Sequence, residues 1–305
     1  MSKKIIVTGG AGFIGSHLVD RLIGAGHRVL VIDDLSFGNK EYLNIAADFL
    51  LLDIRDEKLP VAVKDFSPDI IYHLAAQKNV RTSLERPSYD AQINILGALS
   101  VLEAALWAGA KKFIFLSSCG VYGEAKDLPT GEEAAEQPLS PYILNKLTFE
   151  KYLSILSNDK MDWLALRLSN VYGPRQDPHG EAGVIAIFLD NIRQGKTLYI
   201  NGDGQQSRDY VYVGDVVDVL LLALEKGKGI YNIGTDTQTT LLALIKELEK
   251  VAAHSAKIEF RPTINGEVRH SRLTYQKAKK LFNWQPAHDL PAGLKLTYNW
   301  FKNKQ

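Results

Sequence analysis

Residues 8–17, TGGAGFIGSH, constrain the fold of this chain more than any other segment. They follow the apolar run 5–7 and lead into Leu18, Val19 and Leu22, which are spaced like one face of a helix. The order strand, glycine-rich turn, helix is the setting that a dinucleotide-binding fingerprint requires. Its glycines permit a tight turn close to a pyrophosphate, which the free N–H groups at the helix start attract. The residues predicted here to contact the dinucleotide are Gly9, Gly12, Phe13, Ile14 and Gly15.

An acidic residue ends the second predicted strand. The apolar run 28–32 stops at Asp33, about 20 positions after the turn, where a carboxylate can accept hydrogen bonds from the adenosine ribose. A carboxylate at this place would repel a 2′-phosphate. The sequence therefore predicts NAD rather than NADP, and the alternative is an ordinary strand–turn–helix corner with a solvated aspartate.

Composition narrows the class of protein. The 305 residues suffice for two domains or one large one, and the formal net charge of +1 gives no reason to expect nucleic acid or a membrane as a partner. Cys119 is the only cysteine, so no internal disulfide can form, which fits a reducing compartment. We see neither a signal-peptide pattern nor a run near the ~18 apolar residues of a membrane span. We therefore expect a cytoplasmic protein.

Strand-like and helix-like segments alternate through the first half of the chain. This alternation predicts an α/β fold, a Rossmann-type doubly wound parallel sheet with helices on both faces. We expect residues 1–170 to form the dinucleotide-binding domain, with a return segment near 210–240. Residues 171–305 should form mainly a smaller C-terminal α/β substrate-binding domain. The predicted strands are 4–8, 28–32, 48–51, 69–73, 112–117, 162–168, 197–200 and 229–233, and the predicted helices are 12–25, 56–66, 89–108, 141–157, 182–194, 240–251 and two within 273–303.

Three polar residues are placed for the oxidation of an alcohol. Strand 112–117 leads into Ser118, and ligands of an open parallel sheet lie beyond the carboxyl ends of its strands. Tyr142 and Lys146 are four residues apart, on one face of a predicted helix. The ammonium and an oxidised nicotinamide would both lower the phenol pKa from about 10. The phenolate would then take the alcohol proton, directly or through Ser118, while hydride leaves for NAD. The alternative is a chance YxxxK pattern with a solvated lysine.

Ordered motifs over nearly the whole chain resemble those of the extended short-chain dehydrogenases/reductases. The resemblance is to the NAD-dependent sugar epimerase/dehydratase family, and within it to the UDP-glucose 4-epimerase group. It runs from about residue 3 to residue 301 and implies a homodimer, because helices 89–108 and 141–157 commonly form a four-helix contact in similar proteins. The matching motifs are TGGAGFIGSH, Asp33 with LSFG at 35–38, DIR at 53–55, HLAA at 73–76, NILG with Asn94, Ser117-Ser118, Tyr142 with Lys146, RLSNVYGP at 167–174, GDG at 202–204, RDYVY at 208–212 and GEV at 266–268.

The resemblance implies a set of cofactor contacts beyond the glycine-rich turn. Asp53 would hold the adenine amine with Ile54 beside it, and Asn94 and Lys78 would line the nicotinamide half. The full set implied around NAD is Asp33, Asp34, Ser36, Gly38, Asp53, Ile54, Leu74, Ala75, Ala76, Lys78, Asn94, Ser117, Tyr142 and Lys146. No metal ligands are implied.

The resemblance also implies contacts to a nucleotide sugar. Ser118 would bind the reacting hydroxyl, Asn170 and Arg208 would hold the diphosphate, and Glu267 would accept from the nucleotide ribose. Ser271 stands where some members carry a bulky tyrosine, so a small residue here would admit a 2-acetamido group. The full set implied around the substrate is Lys78, Ser118, Tyr142, Asn170, Val184, Arg208, Glu267 and Ser271.

The two residues after Ser118 discriminate among reactions of the family. Related 4,6-dehydratases carry an acid there, whereas this chain has Cys119 and Gly120, neither of which can act as a carboxylic acid. We therefore predict epimerisation at carbon 4 of a UDP-hexose, glucose or galactose, with N-acetylhexosamines also admitted. The alternatives are a 4,6-dehydratase with other acids, a 4-reductase, and a non-catalytic NAD-binding regulator.

The chain departs from the family pattern at two places. Ile143, Leu144 and Asn145 lie between Tyr142 and Lys146, where small residues and serine are usual. Ile264 stands where the family has an arginine that grips the diphosphate, and Arg261 or Arg269 are the alternatives for that task.

Overall fold

A computed structural model describes residues 1–157, 161–179, 183–263 and 268–303. Among these residues, seven strands form one sheet in the order β3-β2-β1-β4-β5-β6-β11, and three two-stranded sheets pair β10 with β7, β12 with β9 and β13 with β8. The strands are β1 Lys4–Thr8, β2 Arg28–Asp33, β3 Asp48–Leu51, β4 Ile70–His73, β5 Lys112–Ser118, β6 Asp162–Leu168, β7 Asn170–Tyr172, β8 Thr197–Asn201, β9 Ser207–Arg208, β10 Tyr210–Tyr212, β11 Gly229–Ile233, β12 Thr239–Thr240 and β13 Lys257–Arg261.

The helices separate the strands of the main sheet as the alternating pattern predicts. A π-type segment, Gln92–Gly97, joins α4 to α5, so that Pro87–Ala108 is one helical run. The helices are α1 Phe13–Gly24, α2 Leu59–Phe66, α3 Val80–Glu85, α4 Pro87–Ala91, α5 Ala98–Ala108, α6 Pro141–Ser157, α7 Val184–Arg193, α8 Val213–Leu222, α9 Leu241–Ala252, α10 Gln276–Phe282 and α11 Leu290–Asn303, with short 3-10 turns at Lys40–Tyr42 and Cys119–Tyr122.

The strand order of the main sheet reverses between β1 and β4. Strands β2 and β3 extend the sheet on one side of β1, and β4, β5 and β6 extend it on the other. The pairs β1–β2, β2–β3, β1–β4 and β4–β5 are parallel. This is the doubly wound arrangement, and its ligands bind beyond the carboxyl ends of the strands where the order reverses. The predicted α/β fold of Rossmann type is therefore confirmed.

Two compact units make up the chain, each with its own core. Unit 1 comprises Met1–Val121, Ser140–Arg167 and Val217–Tyr231, and unit 2 comprises the remainder. The core of unit 1 includes Ile6, Phe113 and Phe149, and that of unit 2 includes Leu189 and Leu244.

The segment 122–139 lies in unit 2, whereas the sequence placed it in the first domain. Its backbone pairs with residues far along the chain: the Thr130 N–H donates to the Arg272 carbonyl, and the Thr274 N–H donates to that of Thr130. The Asn232 amide also donates to the Thr130 carbonyl at 3.1 Å. No local sequence pattern specifies partners at such separations.

The helical run Pro87–Ala108 is long and apolar enough to cross a membrane by length and composition alone. One 18-residue window has a mean hydropathy of 1.4, and 39% of it is buried. The expectation that no segment approaches such a window therefore does not hold for this helix. Its apolar character has a source within unit 1, where Ala98, Val101 and Leu102 lie in the core.

Candidate active site

The glycine-rich turn after β1 has no space for side chains. Gly9 has a φ of +70°, which L side chains rarely adopt, and a Cβ there would lie 2.6 Å from the Ala75 nitrogen. A Cβ at Gly15 would collide with the Gly9 carbonyl oxygen. The turn therefore lets β1, α1 and the loop after β4 approach closely, as a dinucleotide-binding turn requires.

Helix α1 begins at Phe13, followed by Ile14, and its first N–H groups lack a side-chain cap. Gly12 is the N-cap residue, and the first turn contains no acidic residue. Uncapped N–H groups and the positive end of the helix dipole favour a phosphate. The start of α1 therefore fits the pyrophosphate of NAD.

Asp33 ends β2, and backbone N–H groups hold its carboxylate. Oδ2 accepts from the Ala11 N–H and Oδ1 from the Leu35 N–H, both at 2.9 Å. Burial raises the pKa of this carboxyl, and the two hydrogen bonds oppose the rise. A Cβ at Gly38 would come within 2.8 Å of Oδ1, so glycine keeps that side of the carboxylate open. Each oxygen retains lone pairs for a ribose hydroxyl, and that role of Asp33 stays a prediction.

Other residues predicted around the adenosine have partners within the chain. Asp34 accepts from the Ser36 N–H at 2.9 Å and from its hydroxyl at 2.6 Å. Asp53 accepts from the Arg55 guanidinium at 3.0 Å, and this hydrogen bond lowers the pKa of the Asp53 carboxyl. Ile54 is buried in the core of unit 1. The adenine contacts of Asp53 and Ile54 stay predictions.

The loop after β4 is fastened to Thr8 at the end of β1. The Leu74 N–H donates to the Thr8 carbonyl at 3.1 Å, and the Ala75 N–H donates to Thr8 Oγ1 at 3.3 Å. Further along, the Lys78 ammonium lies 5.3 Å from the centroid of the Phe37 ring, a cation–π contact that joins this loop to the loop after β2. The residues of this loop predicted to line the cofactor are Leu74, Ala75, Ala76 and Lys78.

Asn94 is buried in the π-type segment, where its amide fixes the backbone of Gln77. The Gln77 N–H donates to Asn94 Oδ1 at 3.0 Å, and Asn94 Nδ2 donates to the Gln77 carbonyl at 2.9 Å. Single π-type turns inside helices are frequent at functional sites. The structure thus makes Asn94 a support for the loop after β4, and its contact to nicotinamide stays a prediction.

Ser117 and Ser118 end β5, the strand next to β4. The Ser117 hydroxyl is buried and has no hydrogen-bond partner among the described residues. Buried hydroxyls are seldom left unpaired, so Ser117 fits a position that a bound group completes. Ser118 Oγ accepts from the Gly120 N–H at 3.1 Å, which leaves the Ser118 proton for donation to another acceptor.

Tyr142 and Lys146 lie one turn apart on α6, as the sequence predicts. The Lys146 ammonium is 5.9 Å from the centroid of the Tyr142 ring and 4.7 Å from that of Phe115. Its Nζ donates to the Leu116 carbonyl at 3.0 Å. Burial lowers the pKa of Lys146 to about 8, so the ammonium is charged at neutral pH and loses its proton as the pH rises through 8.

The pKa of Tyr142 differs from the expectation that Lys146 would lower it. Burial raises it well above the usual value, and the negative charge of Asp90 raises it further. In the chain alone, desolvation of the phenolate therefore outweighs the nearby ammonium. Ionisation of Tyr142 requires additional positive charge, which an oxidised nicotinamide carries.

Arg208 and Ser271, both predicted to bind substrate, lie together in unit 2. The Ser207 carbonyl accepts from Arg208 Nη1 at 2.9 Å and from the Ser271 N–H at 3.2 Å. The alternatives to the missing family arginine have other partners: Arg261 stacks 3.4 Å from the centroid of Tyr199, and Arg269 pairs with Asp203 at 2.8 Å.

Other predicted substrate residues lie on separate elements of unit 2. Asn170 begins β7, and its N–H donates to the Asp209 carbonyl at 3.0 Å, while Val184 begins α7. Glu267 and the departure at Ile264 lie outside the described residues.

The family model for the NAD dependent epimerase/dehydratase family matches residues 5–234. The chain belongs to this family. The family predicted from the motifs is thereby confirmed.

Members of the family are similar to this chain in sequence and in fold over nearly all of its residues. The UDP-glucose 4-epimerase of Mycolicibacterium smegmatis is 41% identical over 310 residues, covering 99% of each chain. A crystal structure of UDP-glucose 4-epimerase with UDP-glucose from Thermotoga maritima has a TM-score of 0.96 at 45% identity, covering 98% of each chain. The Thermus thermophilus UDP-glucose 4-epimerase in complex with NAD has a TM-score of 0.95 at 38% identity, covering 99% of this chain and 100% of that one.

Gly120 and Ile143 fill the place where dehydratases of the family are expected to carry an acid. A Cβ at Gly120 would lie 2.5 Å from Ile143 Cδ1 and 3.0 Å from its Cγ1. A carboxylate side chain at position 120 would therefore require Ile143 to move. The bulky residue that departs from the family pattern thus agrees with the absence of an acid.

No functional role was predicted from the sequence for two buried polar residues at this site. Asp90 on α4 and Asn145 on α6 are hydrogen-bonded to each other at 2.6 Å. The spacing of Asp90 and Asn94 across one helical turn is a signal for the first, but Asn145 was noted only as a departure. Among the described residues, no group of three or more His, Cys, Asp or Glu side chains is placed to hold a metal ion.

Proposed function

We propose that this chain is an NAD-dependent 4-epimerase of UDP-hexoses, acting on UDP-glucose and UDP-galactose and admitting N-acetylhexosamines. The observation that carries the proposal is the presence of Ser118, Tyr142 and Lys146 in one unit with the dinucleotide fingerprint, without an acid after Ser118. The T. maritima and M. smegmatis relatives support the choice of UDP-glucose.

Three structural features of unit 1 are those expected of an NAD-binding site. The turn at Gly9 and Gly15 has no room for side chains, the start of α1 lacks a side-chain cap, and the Ser117 hydroxyl has no hydrogen-bond partner in the part of the chain that the structure describes. When bound, NAD would supply the hydride acceptor for carbon 4 of the sugar and the hydride donor for its reduction. The residues that would hold it are those named around the adenosine, the pyrophosphate and the nicotinamide above.

The polar residues of unit 1 would move the proton of the sugar 4-hydroxyl. Tyr142 takes this proton as general base and gives it back as general acid. Lys146, charged below about pH 8, stabilises the phenolate through its positive charge. Ser118 has its proton free for a hydrogen bond to the reacting oxygen, because Gly120 donates to its lone pair. Inversion follows when the 4-keto sugar turns over before reduction, with the nucleotide as its anchor.

A panel of UDP- and dTDP-sugars without added NAD tests the proposed reaction. We expect NMR to show an inverted carbon 4 for UDP-glucose and UDP-galactose, and also for UDP-N-acetylgalactosamine because Ser271 is small. Accumulation of a 4-keto product would indicate a dehydratase instead, and stoichiometric use of added NADH would indicate a reductase. Purified protein that converts neither UDP-galactose nor UDP-N-acetylgalactosamine would contradict the proposal.

We propose that α5 and α6 with the π-type segment form the contact of a homodimer in the cytoplasm. A second copy fits because apolar side chains stay exposed on adjacent helices of unit 1, and a two-fold axis lets the same patch cover itself. The buried Asp90 and Asn94 place polar groups within the same helical run, which disfavours a membrane as the occupant. The exposed apolar residues on these elements are Leu96, Trp107, Leu144, Tyr152 and Ile155.

Ile155→Lys is expected to convert the dimer to a monomer, because a charge in a paired apolar patch is costly to bury. Light scattering coupled to size exclusion measures the mass. The matched control is Ile45→Lys, since Ile45 is fully exposed in the loop before β3 and its replacement should leave the mass unchanged. A wild-type mass of one chain would refute the proposed contact.

A further inference from the structure

Asp90 is a fully buried carboxylate that the proposed chemistry does not use. Its Oδ1 accepts hydrogen bonds from the side-chain amides of Gln77 and Asn94, and its Oδ2 accepts from that of Asn145 at 2.6 Å. These donors come from the loop after β4, the π-type segment and α6. A buried charge is tolerated when hydrogen bonds replace its water, and here neutral amides satisfy both oxygens without cancelling the charge.

Asn145 connects this carboxylate to the helix turn that carries the reacting residues. It lies between Tyr142 and Lys146 on α6, and Asn145 Nδ2 is the donor from α6 to Asp90. The other amides tie Asp90 to Asn94 and to Gln77, which neighbours Lys78. One carboxylate therefore joins α6 to the loop and helix predicted to line the nicotinamide half of NAD.

Among the described residues, Asp90 is the acidic group near Lys146 whose negative charge has no cationic partner. Glu150 on α6 is paired with Arg167 of β6, so its negative charge is locally neutralised. His73 of β4 is neutral, because burial and then the Lys146 charge lower its pKa to about 3. Tyr142 on α6 is also neutral in the chain alone. Burial lowers the pKa of Lys146, and the charges of Asp90 and then Glu150 oppose that fall.

We propose that Asp90 is a positioning residue for the proposed 4-epimerase reaction: held by Gln77, Asn94 and Asn145, it fixes α6 against the cofactor loop and places a buried negative charge beside the helix turn that carries Tyr142 and Lys146. The expected change in kcat rests on the proposed function, whereas the expected change in the protonation of Lys146 does not. The three side-chain amides suit this role because they hold the Asp90 carboxylate without neutralising it. A guanidinium partner would instead cancel the negative charge that stabilises the Lys146 ammonium. The same charge raises the pKa of Tyr142, so its removal should lower the pKa of both groups together.

The test compares Asp90→Asn with the wild-type holoenzyme by two readouts. NMR of the lysine Cε and Nζ nuclei, assigned with Lys146→Met, follows the protonation of Lys146 between pH 6 and 10. We expect the midpoint to lie about one pH unit lower in Asp90→Asn than in the wild type, because a negative charge that favours the ammonium is removed. At the wild-type midpoint the protonated fraction then drops from a half to about a tenth, so kcat should fall about fivefold at that pH and little two pH units below it.

Two further variants separate the effect of the Asp90 charge from that of its hydrogen bond to Asn145 and from that of an aspartate-to-asparagine change elsewhere in the chain. Asn145→Ala removes one hydrogen bond to Asp90 but leaves its charge, so kcat should fall severalfold at every pH while the Lys146 midpoint stays at the wild-type value. Asp190→Asn is the matched control, a buried aspartate on α7 of unit 2 that is paired with Arg193. It should change neither readout.

An unchanged Lys146 midpoint in Asp90→Asn would overturn the proposal, and so would an equal loss of kcat at every pH, which a merely structural residue would give. If Asp90→Asn does not fold, Asp90→Ser removes the same charge without turning an amide N–H toward the donors of Gln77 and Asn94. The midpoint is measurable without turnover. A protein inactive on every UDP-sugar would therefore refute the proposed function, and the midpoint would still show whether the Asp90 charge acts on Lys146.

Discussion

Tyr142→Phe is expected to lower kcat for 4-epimerisation by about 10²–10⁴-fold while NAD remains bound. The change removes the oxygen that we propose exchanges a proton with the sugar hydroxyl and keeps the ring that lies near Lys146. Turnover is measured by NMR of the epimer ratio, and retained NAD by releasing and quantifying the dinucleotide. Loss of turnover with full NAD content would separate proton transfer from cofactor binding.

The matched control is Tyr152→Phe, the same loss of a hydroxyl on the same helix. Tyr152 is 39% exposed and lies six residues after Lys146 on α6, so its variant should keep wild-type kcat. If Tyr142→Phe retained more than a tenth of kcat, another group would have to be the base. A non-catalytic NAD-binding protein would show no turnover to lose.

Hydrophobic patterning and one motif were sufficient to predict most of unit 1. The buried runs that became β1, β2, β4 and β5 begin and end within about two residues of the prediction, because a strand covered on both faces is apolar throughout. Glycine positions predicted the turn because a Cβ at Gly9 or Gly15 has no space.

Helix α8, Val213–Leu222, was not predicted, and its composition explains why. Valine is frequent in it, and β-branched residues favour strands by local preference. Val216, Val217 and Leu220 are fully or almost fully buried, so tertiary packing overrides that preference. The segment reads as apolar in either conformation, and periodicity alone cannot decide between them.

The electrostatics of the site could not be predicted, because they depend on partners brought together by folding. Spacing placed Tyr142 and Lys146 on one helix face, but burial, which raises the pKa of the phenol, is not a local property. Arg167 matched a family motif without a role assigned to it. Its side chain proves fully buried against Glu150, contrary to the usual exposure of charged residues.

Arg167→Met is expected to lower the free energy of unfolding by about 3–5 kcal/mol. Arg167 on β6 donates through Nη2 to Glu150 Oε2 at 2.6 Å and through Nε to Oε1 at 3.1 Å, and both side chains have 0% exposure. Removing the guanidinium leaves the Glu150 carboxylate buried without its counter-ion. Urea unfolding of the holoenzyme measures the loss.

A control on the surface isolates the effect of burial. Arg21 pairs with Asp218 at 2.9 Å, but the two side chains are 54% and 43% exposed. Water solvates both charges in either state, so Arg21→Met should change the free energy of unfolding by only about 0–1 kcal/mol.

The double variant Glu150→Leu/Arg167→Met decides what the pair contributes. If the loss in Arg167→Met comes from an uncompensated carboxylate, removing both charges should recover most of it, since apolar side chains of similar volume often replace a buried pair without cost. A double variant as unstable as Arg167→Met alone would mean that the geometry of the pair itself stabilises unit 1. Glu150 lies one turn after Lys146 on α6. If the double variant regains stability but not kcat, we would infer that the Glu150–Arg167 pair aligns α6 for the reaction.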